Sequence, residues 1–421
     1  GNGVINMGTL QQSAGDLILV TNGNGAATVV NNAAIDFGTS NVGGALDVTA
    51  SAGTITQNGG ALTVAGTSAF TTSTNDQAIT LSNTTNALTG AVAFTTGGTT
   101  GNVVIDNGTT GLDLAASTIN GTLTATGGAS AGIVDSGNVA VAGNVTLTTD
   151  AGNGVINMGT LQQSAGDLIL VTNGTGAATV VNNAGIDFGT SNVGGALSAT
   201  ASAGNITQNG GAITVAGTSS FILGANSANV VLDHASNAFS GAVTLLAGAG
   251  GSQAFGNVTF VDDSAVKIDA NADAAGDLYL NAGTDGAVGG NLAVTATTGN
   301  ITQGVAVAVT GTSAFTTSAS DATITLGTTT NALGGTVAFT TAGTAGNVVI
   351  DNGTTGLDLA ASTINGTLTA TGGATAGIVD SGNVAVAGNV TLTTDAGNGV
   401  INMGTLQQSA GDLILVTNGN G

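Results

Sequence analysis

The 25-residue run GNGVINMGTLQQSAGDLILVTNGNG at 1–25 returns unchanged at 397–421, and with one substitution from Gly152. A chain that copies itself over such stretches builds its fold by stacking one kind of unit on another. Residues 1–70 and 152–221 differ at seven positions. Residues 101–176 and 346–421 differ at two, Ser130 against Thr375 and Thr175 against Asn420. The blocks read as A (1–70), B (71–151), A again (152–221), a stretch of extra coils (222–315), B again (316–396) and the start of A (397–421). The flanking blocks are expected to resume in phase after the extra stretch, as a stack accepting whole coils allows. The identity spans positions of every kind, which recent duplication accounts for without selection on any residue.

Inside the blocks short alternating segments are separated by Gly, Asn, Thr, Ser or Asp. Leu62 and Val64, Ile79 and Leu81, Val92 and Phe94, and Val145 and Leu147 each put two apolar side chains on one face, with Thr, Ala or Asp between them. The separators are the residues that tight corners tolerate. Composition supports strands over helices. There is no Glu or Arg and a single Lys, while β-branched residues abound. With 42% hydrophobic and 6% charged residues, the chain departs from the charge-rich, apolar-poor class that stays disordered.

These features predict an all-β fold, a parallel β-solenoid running through 1–421 as one continuous shaft. Coils of about 20 residues, about 20 of them stacked ~4.8 Å apart, give a rod on the order of 100 Å long. A narrow interior suits aromatics at 3% of residues, and paired backbone throughout suits the absence of Pro. Asn and Thr at equivalent corners are expected to form ladders between coils.

The charge of −22 excludes several classes. One Lys cannot neutralise a phosphate backbone, so no nucleic acid is expected as partner. Without a run of 18 apolar residues no membrane insertion is expected, and Cys chemistry is absent because Cys is. The start at Gly1 without a Met suggests a piece of a longer or processed chain. A covalent Lys–Asn staple could form at Lys267 alone.

His234 follows Asp233, but neighbours on a strand point to opposite faces, so His234 reads as a solvent-facing or corner histidine rather than part of a catalytic dyad. Asp262, Asp263, Asp269, Asp273 and Asp277, with Lys267 among them, form the densest acidic stretch. A glycosidase reading needs two carboxylates held about 5–9 Å apart across a cleft; a solvated acidic face with one ion pair is the plainer reading. No enzyme activity and no required cofactor are expected. Calcium is the more physical use of the acids, with Asp262, Asp263 and Asp269 as candidate ligands through their hard oxygens. Lys267, His234 and Tyr279 all fall in 222–315, where any specific site is expected.

The runs GALDVTASAGTITQNGGALTVAGTSAF at 45–70, NLAVTATTGNITQ at 291–303 and NALTGAVAFTT at 86–96 resemble the repeat shafts of filamentous-haemagglutinin-type bacterial exoproteins. That resemblance implies a right-handed parallel β-helix, export by a two-partner or similar route, an extracellular or cell-surface location, and a role in adhesion or biofilm matrix. The expected function is therefore the non-catalytic shaft of a secreted or cell-surface fibre, self-associating end to end or continuing within a giant chain. The alternative is an adhesin that binds glycan or a host surface through 222–315.

Overall fold

Alternation with a period of two is realised as parallel strands. A computed structural model describes residues 1–128, 131–150, 152–248, 253–282, 285–395 and 397–419; Ser130 and Asn420, two of the positions that distinguish the repeats, lie outside the described residues. No helix occurs among the described residues, and every pairing between named strands is parallel. The architecture is a β-solenoid of about 18 turns. The sequence led to a slightly higher number because it suggested coils of uniform length, and many are longer. Ala27 lies on Leu46, a short coil, but Ser68 lies on Val92, a longer one, and Val258 on Leu292, longer still.

The chain divides into two compact units, Gly1–Ser202 and Ala203–Gly421. In each, a coil consists of one unbroken strand on one side and a pair of shorter pieces on the other. In the first unit, Leu46–Ala50 is unbroken, while Ile55–Gln57 and Leu62–Val64 form the split side. Side chains at alternate positions point inward and are buried. Leu46, Val48, Ile55, Leu62, Val64, Phe70, Ile79, Leu81, Val92 and Phe94 have at most 1% of their surface exposed. All ten phenylalanines are fully buried. Several stack up the interior, with ring centroids 5.9 Å apart for Phe70–Phe94 and 5.5 Å for Phe239–Phe260. Such aromatic stacks add roughly 0.5–1.5 kcal/mol per pair beyond area burial.

Corner asparagines form the expected ladder. In the second unit, Asn205 Oδ1 accepts from the Asn229 N–H at 2.9 Å, Asn229 from Asn257 at 2.7 Å, Asn257 from Asn291 at 2.9 Å, and Asn291 from Thr312 at 2.8 Å. Each coil offers an acceptor to a backbone donor of the next, so the coil already in place orients the one that follows.

The sides exchange roles along the chain. In the first unit, Leu46–Ala50, Ser68–Asn75 and Val92–Gly97 stack as unbroken strands. The chain then makes a second unbroken strand, Val103–Asp106, on the opposite side, and Leu123–Gly127 and Val145–Thr149 follow on top of it. Above Val92–Gly97 the split pieces Leu112–Leu114 and Ser117–Ile119 now sit. Two unbroken strands in succession therefore shift the pattern by half a turn.

This overturns the expectation that blocks resume in phase after 222–315. In the second unit, Ser219–Leu223 stacks in the column of Val243–Ala247, Asp277–Asn281 and Ile301–Gln303. The equivalent segment of the next copy, Ser313–Ser320, stacks on the opposite column, with Val258–Asp262 and Leu292–Ala296. The cause is the single succession of unbroken strands, Val243–Ala247 then Val258–Asp262, between them. An odd number of half-turn shifts leaves the pattern reversed, however many residues intervene.

Candidate functional site

A half-turn shift creates a local problem, because the short strand at the end of a split side loses its neighbour. Ala87–Leu88 is the edge of the three-stranded sheet it forms with Leu62–Val64 and Ser40–Val42, and Ala332–Leu333 is likewise an edge. Buried backbone groups left without partners cost about 1–3 kcal/mol each. A side-chain amide supplies the missing pairing. Asn107 Oδ1 accepts from the Leu88 N–H at 2.8 Å, and Asn107 Nδ2 donates to the Leu88 carbonyl at 3.0 Å and the Gly111 carbonyl at 2.8 Å. Asn is the residue for this task because its amide presents acceptor and donor side by side, as a peptide group does.

The same cap recurs. Asn31 bonds both backbone groups of Gln12, at 3.0 and 2.9 Å, and Asn182 those of Gln163, at 2.8 and 3.0 Å. Asn352 does so for Leu333, at 2.8 and 3.1 Å. All four are buried. At the one remaining shift, between Asn182 and Asn352 in chain order, the residue is Asp262, whose Oδ1 accepts from the Phe239 N–H at 3.0 Å. Other buried amides pair across coils, among them Gln57 with Asn86 and Gln208 with Asn237.

The residues expected to carry chemistry are dispersed over this framework. His234 sits half-buried in the turn between Leu232 and Ala238; its Nδ1 accepts from the Ser236 N–H at 3.1 Å, and its carbonyl accepts from Asn237. Lys267 is paired with Asp269, and its Nζ lies 3.9 Å from Asp277 Oδ1. The bond to Asp269 raises the Lys267 pKa and lowers that of Asp269, so the ammonium stays charged and is a poor nucleophile for a covalent staple. The Tyr279 hydroxyl donates to Asp285 at 2.9 Å.

Of the three calcium candidates, Asp263 is exposed and Asp269 is engaged with Lys267, while Asp262 is buried. Asp262 accepts from the Phe239 and Asp263 N–H groups and, at 2.6 Å, from the Ser264 hydroxyl. Burial pushes its carboxyl pKa up, aided by the charge of Asp263. The three are not brought together, and among the described residues no group of three or more His, Cys, Asp or Glu is arranged to hold a metal. Around them the stack is least regular. Asp277–Asn281 is an added strand between Val243–Ala247 and Val266–Asp269.

The caps were missed in the sequence because Asn is common in every separator. The signal that could have found them is the recurrence of an Asn or Asp at the end of Ala27–Asn31, Ala178–Asn182 and Val258–Asp262, or just after Val103–Asp106 and Val348–Asp351.

Comparison with known proteins places these caps in a regular frame. No curated protein and no solved structure matches the chain. One family does, over five segments: 24–95, 100–174, 175–246, 255–340 and 345–420. Asn31, Asn107, Asn182, Asp262 and Asn352 each stand seven residues after the first residue of a segment, so each repeat opens with one half-turn shift and its cap. The stretch 222–315 that looked like added coils is the end of the third repeat and most of a divergent fourth. The chain belongs to the family described as repeats of unknown function (DUF5649).

Proposed function

We propose that this chain is a structural shaft, part of a secreted or cell-surface bacterial fibre whose work is mechanical. The observation that carries the reading is the coil-to-coil lock: parallel backbone pairing reinforced by the Asn205–Asn229–Asn257–Asn291 ladder and by an amide cap at each half-turn shift. Stacks of this kind gain stability interface by interface and present no preferred end to their growth. The likeness of 45–70, 86–96 and 291–303 to filamentous-haemagglutinin-type shafts points the same way and suggests export and surface display. Among the described residues Leu413–Val416 pairs with Val390–Thr394, and its exposed side has the form that a further coil of the same kind would continue, from the same chain or from another copy. Negative-stain electron microscopy of purified chain over a range of concentrations tests this. Filaments that lengthen with concentration support it, and compact single-chain particles at every concentration overturn it.

A second reading, an adhesin that takes glycan or a host surface, draws on the fourth repeat. The coil from Val258 to Leu292 is the longest on its side, and Lys267 and Tyr279 lie within it. Replacing 258–291 with the shorter coil 103–122 keeps the stack and removes the irregular segment. Loss of attachment to cells or glycan arrays with filaments intact would favour the adhesin; unchanged attachment would remove it.

A further inference from the structure

We propose that Asp262 makes the fourth repeat a proton-sensitive joint: neutral, its carboxyl completes the cap that Asn completes in the other four repeats, and ionised it leaves that cap half-made. Asn107 and Asn352 show the complete cap. Each uses its oxygen to accept a backbone N–H and its amide nitrogen to donate to two carbonyls, those of Leu88 and Gly111 or of Leu333 and Gly356. Asp262 occupies the equivalent place and keeps the accepting half, with Phe239 N–H at 3.0 Å. An ionised carboxylate has no hydrogen to give, so the Phe239 carbonyl receives nothing from it. A proton on Oδ2 restores the donor. The Ser264 hydroxyl, which now donates to Oδ2 at 2.6 Å, has the Ala265 carbonyl at 3.1 Å as its other acceptor and can give way.

The surroundings favour the neutral form. Asp262 is 2% exposed. Asp263, beside it, is its charged neighbour on the same segment, followed by Lys267 and Asp269, which are occupied with one another. The turn before Ala238–Phe239 carries Asp233 and His234. The packed strands Val230–Leu232, Ala238–Phe239 and Leu292–Ala296 carry no charge. Burial first, and the Asp263 charge after it, raise the carboxyl pKa. A carboxyl whose pKa is higher folded than unfolded binds more protons in the folded state. Its stabilising contribution is therefore complete below the unfolded value, near 3.9, and is lost as pH rises through the folded value.

Thermal melts of the full chain between pH 4 and pH 8, with hydrogen exchange at the Phe239 amide corrected for the intrinsic rate, test this. Asp262→Asn carries a permanent donor and should melt higher than the unsubstituted chain at pH 7, by roughly 2–4 °C, with the gap closing toward pH 4. Asn352→Asp should transplant the behaviour to the fifth repeat, lowering the midpoint at pH 7 and regaining it in acid. If Asn352→Asp fails to fold at pH 7, refolding on acidification is the supporting result. A gap between Asp262→Asn and the unsubstituted chain that ignores pH, a lower midpoint for Asp262→Asn at pH 7, or an Asn352→Asp defect that acid does not repair would each overturn the proposal.

Discussion

Leu168–Val171 and Leu413–Val416 carry the same four residues, LILV, inside stretches that differ at two positions over 76, yet one strand is core and the other is surface. Leu168 and Leu170 are fully buried; Leu413 and Leu415 are 50% and 53% exposed. The difference is the company each strand keeps. Leu168–Val171 lies between Val145–Thr149 on one side and Phe188 and Asn192 on the other. For Leu413–Val416 the pairing among described residues is with Val390–Thr394. Both have adopted the same strand, so local sequence chooses the conformation and the neighbouring coil supplies the burial. In a solenoid the interface between coils, more than the coil itself, is the unit of stability.

The sharpest way to break that comparison is to remove the same side chain in both places. Leu170→Ala empties a packed interior and should cost about 2–5 kcal/mol, whereas Leu415→Ala should cost no more than about 0.5 kcal/mol. Urea unfolding followed by circular dichroism, with hydrogen exchange to localise the loss, measures both. Equal losses would mean that the coil, and not its neighbour, carries the energy.

A smaller effect is expected from the caps, which connect coils through one side chain. Asn107→Ala leaves the Leu88 N–H and carbonyl without their side-chain partner in a buried setting, and should cost about 1–3 kcal/mol. Exchange at the Leu88 amide should quicken while that of Val103 and Leu123, which keep their backbone partners, stays slow. Uniform acceleration along the first unit would show that the cap holds more than its own edge.

The strands were legible because their signal is local. Leu62 and Val64, Ile79 and Leu81, and Val145 and Leu147 alternate with polar residues and lie buried as that alternation requires. The stacking followed from repetition, and the corner ladder from the excess of Asn. The half-turn shifts were not legible. Whether Val103–Asp106 continues one side or opens the other depends on the path of residues 97–102, and nothing in their identities distinguishes them from other Gly- and Thr-rich corners. The fourth repeat was misjudged for a related reason. Its divergence hid its kinship, so 222–315 read as additional coils when its cap position, Asp262, is equivalent to Asn107. His234 lies in a turn, outside the strand Val230–Leu232 whose alternation was used to part it from Asp233.

Neighbour coupling also reaches the surface, where the smallest effect is expected. Asp76 and Asp321 both take a left-handed backbone, with φ of 62° and 63°, a conformation Asp tolerates better than most residues. Each reaches to the next coil: Asp76 Oδ1 accepts from the Thr99 and Thr100 N–H groups at 2.7 and 2.8 Å, and Asp321 Oδ1 from those of Thr344 and Ala345, both at 2.7 Å. These backbone donors hold both carboxyls below the ordinary carboxylate pKa. A depressed folded pKa gives stability that is present above the unfolded value and lost as pH falls through the folded one, opposite in sign to Asp262. The double substitution Asp76→Asn with Asp321→Asn keeps an accepting oxygen and tolerates the same backbone, so its melt at pH 7 should barely move. Between pH 4 and pH 2 it should lose less than the unsubstituted chain does. Identical acid profiles would show that these links between coils contribute nothing, and would confine the coupling expected at Leu170 to the interior.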